Sequence, residues 1–158
     1  MENLKLSRLN ATYKWAITAF LLLTSLGFSV AGLQSRLRYD FNHEKTVEYY
    51  LGDPAEGDSP FPKPLSYLVS VTHVHSFTLP LIFFILWILL NATSFQGGLK
   101  KGIILGGVFS ILIYNMAPYA VRYFSSHSVF LFTVGGVGLF IFYFFPMFLV
   151  LHELWWRD

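Results

Sequence analysis

The chain reads as four long apolar stretches separated by shorter polar ones, and the lengths of those stretches are the first constraint on its structure. They run from Tyr13 to Leu33, Leu65 to Asn91, Leu99 to Tyr123 and Val129 to Trp155, with charged side chains only near their ends. A helix rising about 1.5 Å per residue needs about 20 residues to cross the hydrocarbon core, and each stretch meets that with room for tilt. The expectation is an all-α membrane protein: four transmembrane helices in one antiparallel bundle, a single domain over residues 1–158. The short linkers between the later helices set the antiparallel order. Lys5, Arg8 and Lys14 give the first stretch the basic flank of a secretion signal. It is nonetheless too long for a signal core, and Gln34-Ser35-Arg36 follows it instead of a small-x-small cleavage site. It is read as a retained helix.

Between the first two helices lies a loop, residues 34–64, expected to be structured. Arg36-Leu37-Arg38-Tyr39-Asp40-Phe41 leads into Thr46-Val47-Glu48-Tyr49-Tyr50-Leu51-Gly52, a short amphipathic stretch closed by glycine and expected to cap the mouth of the bundle. Asp53 to Pro64, rich in proline, acid and glycine, reads as an extended return, with Pro62 and Pro64 placed to start the second helix.

Composition sharpens the picture. The residues are 54% hydrophobic, 19% aromatic and only 13% charged, far from the balance of a soluble domain, so lipid is the expected solvent. No cysteine is present, which removes disulfides, thiolate metal sites, iron–sulfur clusters and covalently attached haem. The formal charge of +2 sits at the ends of the apolar runs, so it belongs to membrane topology and not to a nucleic-acid footprint. Basic residues at the amino terminus, Lys100, Lys101 and Arg157 share one side. The positive-inside rule makes that side cytoplasmic and puts the 34–64 loop outside a bacterial inner membrane, although the loop carries Arg36, Arg38, Lys45 and Lys63 beside six acids. Trp15, Trp155 and Trp156 then lie at the inner interface. The sequon Asn91-Ala92-Thr93 falls at the inner end of a span and is set aside.

Ionisable groups inside a span are costly and invite a functional reading. His73 and His75 stand in Thr72-His73-Val74-His75-Ser76, roughly 12 to 15 Å below the outer end of the second helix. Two positions apart on a helix they point to nearly opposite sides, so they are expected to have different partners unless Pro80 kinks the helix between them and its neighbours. Counting a similar rise on the other helices brings Ser25, Gly27, Tyr114, Asn115, Met116, Gly135 and Gly136 to the same layer, where the glycines leave space for a flat ligand. Arg122, with Tyr119 near it, could reach propionates or a quinone carbonyl. The plainer account is packing: Gly98, Gly102 and Gly106 form a small-residue face, Gly135, Gly136 and Gly138 could do the same, and the histidines could bond between helices, for instance to Asn115 or Tyr114. A metal-only site drawing His43 and His127 to His75 is a third reading. His152 is assigned no chemistry, and Glu153 and Arg157 are spaced for an ion pair across one turn.

No nucleophile elbow, phosphate loop or His-Glu-x-x-His is present, and no acid lies mid-span as a proton relay. No catalytic residue is expected, and the chain is not expected to be an enzyme by itself. The segment Thr46 to Leu90, with Tyr49-Tyr50-x-Gly and then Thr72-His73-Val74-His75-Ser76-Phe77-Thr78-Leu79-Pro80, resembles a group of small bacterial four-helix membrane proteins, some related to membrane-anchored cytochromes. The resemblance implies an electron-transfer setting, with His73 and His75 matching the family's His-x-His. This chain departs by lacking Cys-x-x-Cys-His. The expected function is a small subunit of a respiratory-type complex that binds b-type haem or contacts quinone near the outer face. His73, His75, Asn115, Met116, Arg122, Gly135 and Gly136 are its candidate cofactor residues, His73 or His75 its metal ligand, and a larger membrane complex, with or without a cytochrome subunit, its partner. The alternative is a non-catalytic accessory subunit without cofactor.

Overall fold

A computed structural model describes residues 5–53 and 61–157; most of the return segment expected over Asp53–Pro64 therefore lies outside the described residues. Every described element is helical: α1 Ala11–Tyr39, α2 His43–Leu51, α3 Leu65–Asn91, α4 Gly97–Tyr123 and α5 Phe130–Trp155, with short 3-10 turns at Leu6–Arg8 and Ser126–Val129. Four of these, α1, α3, α4 and α5 with the turn before it, are long and apolar enough to cross a membrane, and the chain is an integral multi-pass membrane protein.

Local chemistry sets the element ends. The Asn10 side chain caps α1 by accepting from the Tyr13 N–H at 3.1 Å. α1 does not stop where its apolar run does. Gln34, Arg36, Leu37 and Arg38 are good helix formers, so the helix continues through Tyr39 and ends where Asp40 and Phe41 turn to φ 52°, which shortens the loop expected from Gln34. Asn42 then caps α2, accepting from the N–H groups of Glu44 and Lys45 at 2.7 and 3.2 Å. Gly52 closes α2 at φ 80°, where an added Cβ would lie 2.7 Å from the Phe61 backbone carbonyl carbon.

The centre of the bundle is the antiparallel α4–α5 pair, with α3 against both. The pair approaches closely because small residues meet there. Gly135 of α5 sits on the backbone of Tyr114, so that a Cβ at 135 would be 2.8 Å from the Tyr114 nitrogen, and Gly138 meets Ser110 one turn further along. Phe83 of α3 fills the space over Gly107. Gly98 and Gly102 of the expected small-residue face have no described atom near them, and only Gly106 is used, against Phe142. α1 is more loosely held. Its one buried residue is Leu21, whose carbonyl accepts from the buried Tyr143 hydroxyl at 3.1 Å, while Phe28 stacks on the Tyr143 ring at 4.3 Å.

The two ends of the bundle are fastened differently. At the end bearing the chain termini, Glu153 is 1% exposed. Its carboxylate accepts from the Ser94 N–H and hydroxyl at 3.2 and 2.9 Å and pairs with Arg157 at 3.5 Å, the ion pair that the spacing implied. Lys100 donates to the Asn91 and Thr93 carbonyls at 3.0 and 2.7 Å, satisfying the last turn of α3. Trp155 donates to Thr18 at 3.0 Å and meets the Trp15 ring at 5.0 Å. At the opposite end, the cap end, α2 lies over the bundle with Tyr50 buried among Leu68, Val121 and Val129 and stacked on Phe132 at 5.1 Å. Tyr49 is hydrogen-bonded to Tyr67 and lies under two cations, Lys63 at 4.6 Å and Arg38 at 5.3 Å.

Two outcomes follow for stability. Gly135→Ala costs about 1–3 kcal/mol, because the methyl must displace backbone, whereas Gly102→Ala costs nothing. Thermal unfolding of the two variants in detergent checks this, and a Gly135→Ala protein as stable as the parent would refute the α4–α5 contact. In the cap, burial first and the Tyr67 hydrogen bond second raise the Tyr49 phenol pKa, and burial, reinforced by nearby Tyr39, raises that of Tyr50 further. The unfolded chain thus ionises first, at about pH 10, so the cap's stability is complete below that pH and declines above it. Cap melting followed by tyrosine absorbance should be flat from neutral pH up to that point; a loss beginning near neutrality would contradict it.

Candidate functional site

Because α1 rests chiefly on α5 and α2, a gap remains between it and α3 at the cap end. The gap is a cleft of about 360 Å³. Gln34, Ser35, Arg38 and Tyr39 of α1 line one side, Tyr67, Ser70, Thr72 and His75 of α3 the other, Tyr114, Asn115 and Pro118 of α4 with Phe132 of α5 the back, and Tyr50 of α2 the top. Ala31, Gln34, Ser70 and Val74 at its rim are exposed, so the cleft opens sideways between α1 and α3, toward lipid. Deeper in the membrane, Leu26 and Val30 continue the Gln34 row and Leu81 continues the Val74 row, all exposed. The opening therefore leads onto an apolar lane.

The polar groups inside are unevenly satisfied. Asn115, 5% exposed, donates from Nδ2 to the Ile111 carbonyl at 3.0 Å, and its Oδ1 has no hydrogen-bond partner among the described residues. The buried Thr72 hydroxyl has none either. Half-buried His75 sets its ring 5.9 Å from that of Tyr114, and no described residue hydrogen-bonds to it. Buried polar groups are normally paired, and unpaired ones cost about 1–3 kcal/mol each, so several around one opening mark a place where a ligand would be stabilised.

The expected cofactor layer is thus brought together only in part. His75 and Asn115 meet in the cleft. His73, two residues away on a helix that continues through Pro80, faces outward, its ring 5.1 Å from that of Phe77. Met116 is 51% exposed on the opposite side of α4 from the core. Gly135 provides no slot, because the Tyr114 backbone occupies it, and a Cβ added at Gly136 would meet only the Tyr114 ring, at an ordinary 3.8 Å. Arg122 lies over Tyr123 at 5.3 Å and does not line the cleft; the guanidinium there is that of Arg38. These residues do not fit a haem with two protein ligands: the cleft offers one imidazole, and the sulfur and second imidazole expected to complete it face away. His43 is bonded to Thr133 at 3.0 Å and His127 to Ser125 at 3.3 Å, and among the described residues no three His, Asp or Glu side chains gather as a metal site.

Thr72, Ser35, Arg38, Tyr39 and Tyr50 were not singled out as site residues by the sequence reading. Thr72 adjoins the His-x-His and shares the His75 side of α3, a signal that spacing alone contains. The α1 residues enter only because that helix outruns its apolar stretch.

Comparison with curated proteins and with solved structures found no match. Residues 40–158, the whole of α2 to α5, match a family model described as a transmembrane helical domain. The chain accordingly belongs to the Aq_1264_TM family of transmembrane helical domains.

Proposed function

We propose that the protein is a small membrane subunit of an electron-transfer assembly, which holds the polar head of a lipid-soluble quinone in the cap-end cleft, with that end on the outer side of the membrane. The observation that carries this reading is the convergence of Thr72, His75 and buried Asn115 on a cleft open to lipid, with hydrogen-bonding capacity the protein leaves unused. A ligand reaching that cleft from the bilayer must be apolar along most of its length and polar at one end. The lane below the opening suits a tail, and the three polar side chains suit a ring bearing oxygen atoms. The electron-transfer setting is drawn from the resemblance of the Thr46-to-Leu90 segment to small bacterial four-helix membrane proteins, some of them related to membrane-anchored cytochromes. Of the two cofactors considered, quinone fits better than haem, since His75 is the one imidazole among the cleft's lining residues and Met116 and His73 face away from it.

A second reading, an accessory subunit that docks a larger membrane protein, is favoured by one feature: Gly98 and Gly102 are exposed, with no described atom within 4 Å of a Cβ built there. Ligand binding separates the two. The detergent-purified protein should bind a short-chain benzoquinone/hydroquinone couple saturably in equilibrium dialysis. His75→Ala and Thr72→Val should weaken binding about tenfold, and His73→Ala should leave it unchanged. No binding by folded protein would leave the docking reading. A sharp reduced-minus-oxidised visible band lost in His75→Ala would replace quinone by haem.

A further inference from the structure

The cleft constrains the direction of a hydrogen bond as well as its presence. The Ile111 carbonyl can only accept, so the end of the Asn115 amide facing it, at 3.0 Å, is the nitrogen, and the unpaired end is the oxygen. That oxygen is a buried acceptor on a residue only 5% exposed, at a depth where the surroundings are protein and lipid. Only a donor satisfies it. The other polar groups are indifferent: the Thr72 hydroxyl both donates and accepts, and the His75 imidazole does so through its two nitrogens. An oxidised quinone presents two carbonyl oxygens, acceptors like Asn115 Oδ1 itself. A hydroquinone presents two hydroxyls.

We infer that the cleft selects the reduced, hydroxyl-bearing form of its ligand, with Asn115 Oδ1 accepting from one ligand hydroxyl. The inference rests on the reading of the cleft as a quinone site and adds to it the redox form that is held. With the oxidised form in place, two acceptor oxygens would share one buried position without a proton between them, and a site built to pair with a hydroxyl discriminates against an analogue lacking it. The pairing also explains why an asparagine tied to its own helix serves better here than a second hydroxyl. A hydroxyl could rotate to suit either redox form, whereas the anchored amide cannot.

The test uses the full-length protein in detergent and three probes of one ring scaffold: a short-chain benzoquinone, its hydroquinone, and the hydroquinone dimethyl ether, which keeps the shape and lacks the donors. The hydroquinone should bind about tenfold or more tightly than either of the others. Asn115→Leu should abolish that preference, leaving the quinone and the hydroquinone bound alike, and His73→Ala should preserve it. Quinone and hydroquinone bound equally well, or the dimethyl ether bound as well as the hydroquinone, would overturn the inference and leave the cleft as a quinone site. Binding of none of the three would overturn the site itself. The wild-type comparison decides the matter even where Asn115→Leu fails to fold.

Discussion

The close approach of α5 to α4, with Gly135 against the Tyr114 backbone and Gly138 against Ser110, is the contact on which the rest of the structure is mounted. Lipid tails are as apolar as leucine, so burying apolar surface between helices gains little in a membrane, and association depends on dispersion contacts that only well-fitted surfaces make. Missing side chains on α5 let the two helices fit. Once they do, α3 closes the third side with Phe83 over Gly107, and α2 lies across the end of the group with Tyr50 against Phe132. These four helices are the part of the chain that the family model matches, which begins at Asp40 directly after α1.

α1 is attached to this group at intervals. The Leu6 turn and the Trp15–Trp155 contact hold it at the terminus end, and Tyr143 holds it midway through the Leu21 carbonyl and Thr24. Beyond Phe28 it stands off from α3, and the cleft is that separation. Its roof follows from the same chain geometry. Because α1 carries on to Tyr39 before turning, α2 is delivered over the top of the gap, and the aromatic cluster of Tyr39, Tyr49, Tyr50 and Tyr67 closes it. The cleft thus arises between a well-packed group and a helix fastened at two points.

Much of the architecture was legible in the sequence, because a bilayer imposes a length rule that composition reveals directly: four apolar runs, four spans. The amphipathic 46–52 stretch and the Glu153–Arg157 spacing were equally local signals, and both correspond to described structure. The candidate site was less legible, for a rotational reason. Counting residues from helix ends gives depth and correctly brings His75 and Asn115 to one level. It says nothing about which way each helix is turned, so it could not separate inward His75 from outward His73, or inward Asn115 from outward Met116. The glycines posed the same problem in reverse. Their absent side chains were equally consistent with a ligand slot and a helix contact, and only the position of Tyr114 decides for contact at Gly135.

How the protein treats its buried polar groups bears on what the cleft is for. Glu153, costlier to bury than any amide, is supplied with a backbone N–H, a hydroxyl and a guanidinium, all from nearby turns. Asn115 and Thr72 are not treated that way, although Ser35 of α1 lines the same cleft. Of the four buried polar side-chain atoms without a partner among the described residues, two belong to residues that line the cleft, to which all five helices contribute. Stability alone favours removing such atoms or pairing them. Retaining them where the bundle opens to lipid is the arrangement expected of a site whose missing hydrogen bonds arrive with its ligand.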